Sequence, residues 1–250
     1  MDPGAVFRHM CGASVRARMP VKEEVTVLQD SVPHAINVLI HVVCGTAALA
    51  LGFWQLIRVK GGTAHRQVGR WFVRAVSVVV VTAATGLALF RFGAFLAVLT
   101  LLVAYWLYSG VRASRMREAG PCLQDALVSV TALLAVALFL YFLPRVRFPW
   151  VPAVIYSSLG TLAALAFYDL SRFAFPRRWF RTLWVYEHAA KMLGAHGSVA
   201  AAFAGTVLPA WQPISQMAPP AIWTVLQIGF LVHIYWRARA SSRAEARRVA

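Results

Sequence analysis

Seven histidines, six of them in or beside long apolar stretches, are the residues best able to do chemistry in this chain. An imidazole in such a stretch is costly to bury and needs a partner, a metal or a polar cavity. His9 lies in the N-terminal tail, whereas His34, His41, His65, His188, His196 and His233 fall among the apolar runs. His34 and His41 are seven apart and share one helical face, which continues through Gly45, Ala48, Gly52 and Gln55. This seam of small and polar side chains admits another helix or a flat ligand. At a rise of 1.5 Å per residue, His41 sits roughly 10 Å and His196 roughly 16 Å below the same membrane face. That spacing in depth suits an axial pair for a b-type haem, with His65 and His188 as a weaker second pair near the opposite face. A haem-binding or redox-linked membrane protein, working with a redox partner or as a homo-oligomer, is the first functional expectation.

The inner histidines also fit a second chemistry. His65, His188 and His233 make a three-imidazole zinc shell with an open fourth position, and Glu187 or Asp169 would serve as base in a membrane hydrolase. Against this, the sequence has no H-x-x-x-H or H-E-x-x-H. His188 and His196 are eight apart, about 80° around a helix, so one ion cannot take both. Asp169 and Arg172 at i,i+3, and Glu187 and Lys191 at i,i+4, read as local ion pairs. The third expectation is a noncatalytic accessory or small-solute transport protein whose histidines are satisfied core residues.

The elements that must position these groups are set by composition. The chain has 250 residues, 60% hydrophobic and only 14% charged, whereas soluble domains carry about 25% charged residues. An ordinary soluble protein is excluded. Apolar runs at 34–57, 71–90, 92–111, 124–143, 152–170, 184–207 and 219–236 predict seven transmembrane helices in an all-α polytopic bundle. The chain divides into a tail (1–33), a seven-span membrane domain (34–237) and a basic tail (238–250). Pro152 and the pair Pro219 and Pro220 are expected in first helical turns. The formal balance of +16 would suggest nucleic acid only as a sum. Once placed, most of the arginines gather in the loops after the first, third and fifth spans and in the C-terminal tail, predicting an outside N-terminus, a cytoplasmic C-terminus and no nucleic-acid partner. Residues 173–184 mix Phe173, Phe175, Trp179, Phe180 and Trp184 with three arginines, as an interfacial belt does. No signal-peptide core precedes the first span, and Met19 opens a more conventional start. The three cysteines imply no disulfide framework or thiolate metal site.

The most individual string is KGGTAHRQVGRW from Lys60. Its glycines permit a tight turn, and Arg66 and Arg70 beside His65 would hold a haem propionate, a lipid phosphate or another anion. This string, the H-x-x-x-G helix from His41 and the later W-x-YEH-x-x-KM-x-G helix from Trp184 resemble a group of uncharacterised bacterial multi-pass membrane proteins. The resemblance implies a polytopic protein of the bacterial inner membrane. The layout of helix and loop histidines is distantly similar to cytochrome b-type haem proteins, which implies haem b as cofactor.

Overall fold

The first helix starts where local chemistry allows it. The Ser31 side chain accepts a hydrogen bond from the His34 amide, and Pro33 occupies the first turn, where its missing N–H is not needed. The computed structural model describes residues 31–90, 92–145 and 152–249, and the tail before Ser31 and the connection around Arg147 lie outside them. Within the described residues the α-helices are α1 (Val32–Ile57), α2 (Thr63–Thr85), α3 (Ala94–Met116), α4 (Leu123–Phe142), α5 (Pro152–Ser171), α6 (Phe180–Val207) and α7 (Ile214–Val249). Six of them, all but α6, are long and apolar enough to cross a membrane. The chain is a multi-pass helical membrane protein.

Its outside and inside are inverted relative to a soluble fold. Ile36, Phe53, Leu134, Leu138, Phe167 and Val225 are exposed, while Asp125, Asp169, Arg172, Glu187 and Lys191 are buried. Lipid accepts the former, and only protein partners can satisfy the latter. The helix α6 explains its own lower hydropathy: it is enclosed by α1, α3 and α7, so its polar residues meet helices rather than lipid. Around this axis, α1 pairs with α2, α4 with α5, and α3 bridges α5 and α6.

Close packing along α6 depends on absent side chains. A Cβ on Gly194 would fall 2.6 Å from the Trp106 ring of α3, and one on Gly197 would fall 2.7 Å from Trp223 of α7. Each indole thus lies over bare α6 backbone, the membrane form of small-residue packing.

Several boundaries move from the sequence expectation. The helix α2 begins at Thr63, ahead of the apolar run, and α7 begins at Ile214, so Pro219 and Pro220 lie inside the helix rather than in its first turn. The prolines are tolerated because the backbone carbonyls they leave unbonded belong to the helix's opening turns. Of the expected interfacial belt, Phe173 and Trp179 are exposed, but Phe180 is only 2% exposed and packs under Arg172. Arg181 is exposed and Trp184 half-buried with Arg117 over its ring, so the segment is partly surface and partly packed.

Replacing Gly194 with Ala should lower stability in detergent by about 1–3 kcal/mol, the usual cost of overpacking. Gly160→Ala, which meets open space on α5, should be neutral or raise stability by about 0.5–1 kcal/mol. Parallel thermal or denaturant unfolding of the two variants checks the contrast.

Candidate functional site

The bundle is chemically divided along its axis. At the end where α3 finishes and α6 starts, charged side chains form one continuous network. Lys191 of α6 pairs directly with Asp169 of α5, whose other oxygen accepts a hydrogen bond from the Tyr105 hydroxyl at 3.0 Å. Arg172 reaches Glu187 with Nε 2.7 Å from Oε1, a Coulombic contact rather than an aligned hydrogen bond. The Tyr168 hydroxyl donates to the same Glu187 oxygen at 2.8 Å. Ser129 links this cluster to a second pair, standing 2.9 Å from the Tyr105 hydroxyl and donating to the Asp125 carbonyl. There Arg112 donates from Nε and Nη2 to the two Asp125 oxygens at 2.7 and 2.8 Å. Of the two expected local pairs, Asp169 with Arg172 is present as a loose ion pair, whereas Glu187 and Lys191 take closer partners on α5. Asp169 and Arg172 are 3.8 Å apart at their closest, and the direct partners cross between α5 and α6, Lys191 with Asp169 and Arg172 with Glu187. Glu187 and Asp169 are bound to cations and tyrosines in this network.

The histidines separate into different environments. His196 is 3% exposed and uses both ring nitrogens: Nε2 donates to the Leu49 carbonyl at 3.2 Å and Nδ1 accepts from the Trp223 indole at 3.1 Å. Phe53 and Phe72 meet its ring edge-on, and a Cβ on Gly52 would overlap it. Gly52 in the α1 seam therefore makes room for an imidazole from α6. His41 instead donates from Nδ1 to Thr82 Oγ1 at 2.9 Å, because the Thr82 hydroxyl already gives its proton to the Val78 and Val79 carbonyls. Since His196 contacts α1 at Leu49, eight residues beyond His41, the two rings are about 12 Å apart along that helix. The structure does not bring them together as an axial pair.

At the charged end, the Gln55 amide clasps His65, donating to its carbonyl at 2.7 Å and accepting from Nδ1 at 2.9 Å. Gly69 leaves room for that amide, and Gly61, at φ +85°, turns the chain between α1 and α2. Lys60 caps α1 by donating to the carbonyls of Gln55, Leu56 and Arg58. Its partial burial lowers its pKa below the ordinary lysine value. His188 donates from Nδ1 to the Gly110 carbonyl at 2.9 Å. His233 is exposed on α7, and among the described residues no group of three His, Cys, Asp or Glu is placed to hold a metal. Arg66 and Arg70 are exposed at the start of α2.

The opposite half of the bundle holds a chamber of about 670 Å³ between α1, α2, α3, α5, α6 and α7. Its wall is mainly apolar, with Trp106 and Trp223 deep inside and a polar strip formed by His34, Asn37, His41 and Thr82. No charged residue is on the described wall. Asn37 and Thr82 had no sequence signal, since their roles depend on how α1 meets α2: Asn37 Nδ2 donates to the Thr82 carbonyl at 3.1 Å. Tyr105, Tyr168 and Trp223 were likewise invisible, each acting on a helix far away in sequence.

Compared with models of known protein families, with curated proteins and with solved structures, the chain finds no match in any of the three.

Removing one member of the buried network should be far worse than removing a pair. Lys191→Met alone leaves Asp169 without its direct cation and should cost about 3–5 kcal/mol, while adding Asp169→Asn should recover most of that loss. Unfolding of the single and double variants in detergent checks this.

Proposed function

We propose that this protein is a membrane-embedded binding protein whose ligand occupies the chamber at the N-terminal end of α1. The single observation that carries the reading is His41. Its tautomer is set by Thr82, which leaves Nε2 as an unprotonated nitrogen on a ring that lines an apolar space of about 670 Å³. A large apolar cavity with a few convergent polar groups is the usual form of a small-molecule site. The charged network in the other half gives this chamber a cohesive base, and His196 staples α1, α6 and α7 beside it.

The same bare Nε2 supports haem b as a second occupant, with His41 as a lone axial ligand, since an imidazole whose Nδ1–H is anchored is the form that binds iron. This replaces the pairing of His41 with His196, whose nitrogens are both engaged. A zinc site built from His65, His188 and His233 has no comparable geometric support.

Protein purified in mild detergent from haem-replete cells should carry a near-stoichiometric small molecule, detected by native mass spectrometry. That molecule should be reduced at least tenfold in Ala202→Phe, which fills the chamber wall. A Soret band lost in His41→Ala but kept in His196→Ala would identify haem. Equal retention in the filled variant would overturn the chamber as the binding site.

All seven helices, α6 included, are taken to cross the membrane, with the N-terminus outside and the C-terminus cytoplasmic. The arginine-rich ends support this orientation, and the resemblance to bacterial multi-pass proteins supports the bacterial inner membrane. A C-terminal reporter should be active only in its cytoplasmic form; activity on the outer face would reverse the topology.

A further inference from the structure

The chamber wall is polar in an unusually one-sided way. The Thr46 hydroxyl donates to the Val42 carbonyl, Thr82 to Val78 and Val79, Thr206 to Ala202 and Thr224 to Pro220. The hydroxyls that α3 and α5 contribute to the wall do the same within their own helices. Each of these groups has one proton, so spending it on the backbone leaves only lone pairs for a ligand. The amides differ: Asn37 Nδ2 gives one N–H to the Thr82 carbonyl and Gln227 Nε2 gives one to the Ala190 carbonyl, so each keeps its oxygen and a second N–H. His41, its Nδ1–H given to Thr82, presents Nε2 as an acceptor. On the far wall Ser198 and Gln216 keep donors free of hydrogen bonds among the described residues, and His34 at the rim has no bond that fixes its tautomer. On the face formed by α1 and α2, the His41 acceptor therefore stands one helical turn from the Asn37 amide, which can donate or accept, about 5–6 Å between Cβ atoms.

We propose that the chamber selects a neutral amphiphile whose head-group hydroxyl donates its one proton to His41 Nε2 and accepts from the Asn37 amide, a hydroxyl-bearing molecule with an apolar body. This rests on the chamber being a ligand site. Neutrality follows from the wall: with no carboxylate or cation among its described residues, an ammonium or phosphate head would be desolvated without compensation. A carbonyl head offers only acceptors: it could take the Asn37 N–H but would leave His41 Nε2 unpaired in an apolar space. A hydroxyl head satisfies both. The two tryptophans and the small residues of α6 accommodate a ring or chain below it. Hydroquinones, sterol-like alcohols and isoprenoid alcohols share this chemistry.

The test uses three probes of one size class on the full-length protein in lipid nanodiscs: decylhydroquinone, the corresponding quinone, and the hydroquinone dimethyl ether. Direct titration should show the hydroquinone binding about tenfold or more tightly than either of the others, as leaving the His41 acceptor unpaired implies. In His41→Leu, which keeps bulk and removes the acceptor, the preference should shrink severalfold while the quinone's affinity changes little. A mass-spectrometric comparison of extracts from protein isolated with bound material should show a hydroxyl-bearing lipid, distinguishing a membrane component from an added redox carrier. Equal affinities for all three probes, each abolished by Ala202→Phe, would overturn donor selection while leaving the chamber as a binding site. Binding of the three that is untouched by Ala202→Phe would overturn both.

Discussion

In a bilayer interior there is no water to complete a polar side chain, so every buried charge must be completed by protein. Four helices of this bundle are held in register by that requirement. Asp169, Arg172, Glu187 and Lys191 neutralise one another across α5 and α6, Tyr105 and Ser129 carry the network into α3 and α4, and Arg112 with Asp125 closes it. Such pairs add little over well-packed apolar residues, because desolvation offsets their attraction. What they provide is uniqueness: a slip of one helix by a single turn would strand several charges at once.

The remaining architecture follows from where that network sits. It draws the start of α6 into the centre, which places His188 under Gly110, His196 against Leu49 and Trp223, and the glycines Gly194 and Gly197 beneath two indoles. The far half of the bundle lacks such ties on its described walls, and there the helices part to form the chamber. Tight charge pairing in one half and apolar separation in the other are two results of one distribution of polar residues.

Much of this was legible in the residue order. The apolar runs locate the helices, and the seam His34, His41, Gly45, Ala48, Gly52 and Gln55 does face inward, with Ala48 fully buried and Gly52 against the His196 ring. The pairing of charges was not legible, because a spacing of three or four residues is compatible with both local and interhelical partners. Only the packing of α5 on α6 by way of α3 decides between them. Depth alone put His41 and His196 close enough to meet, but depth says nothing about direction around a helix or about which carbonyl claims a ring nitrogen. The chamber draws on six helices, and no local pattern encodes a space shared by that many. Asn37 and Thr82 illustrate the point: each is an unremarkable polar residue until the α1–α2 contact makes one hold the other.

The buried network also has an electrical consequence. The four groups of its core carry two positive and two negative charges, and the linked pair of Arg112 and Asp125 adds one of each. A transmembrane potential does work of about 2.3 kcal/mol per unit charge per 100 mV on a charge that crosses the whole field. On a set that sums to zero and moves as one body, those contributions cancel. Whatever share of the membrane field reaches the network, that voltage therefore favours no displacement of the cluster as a whole.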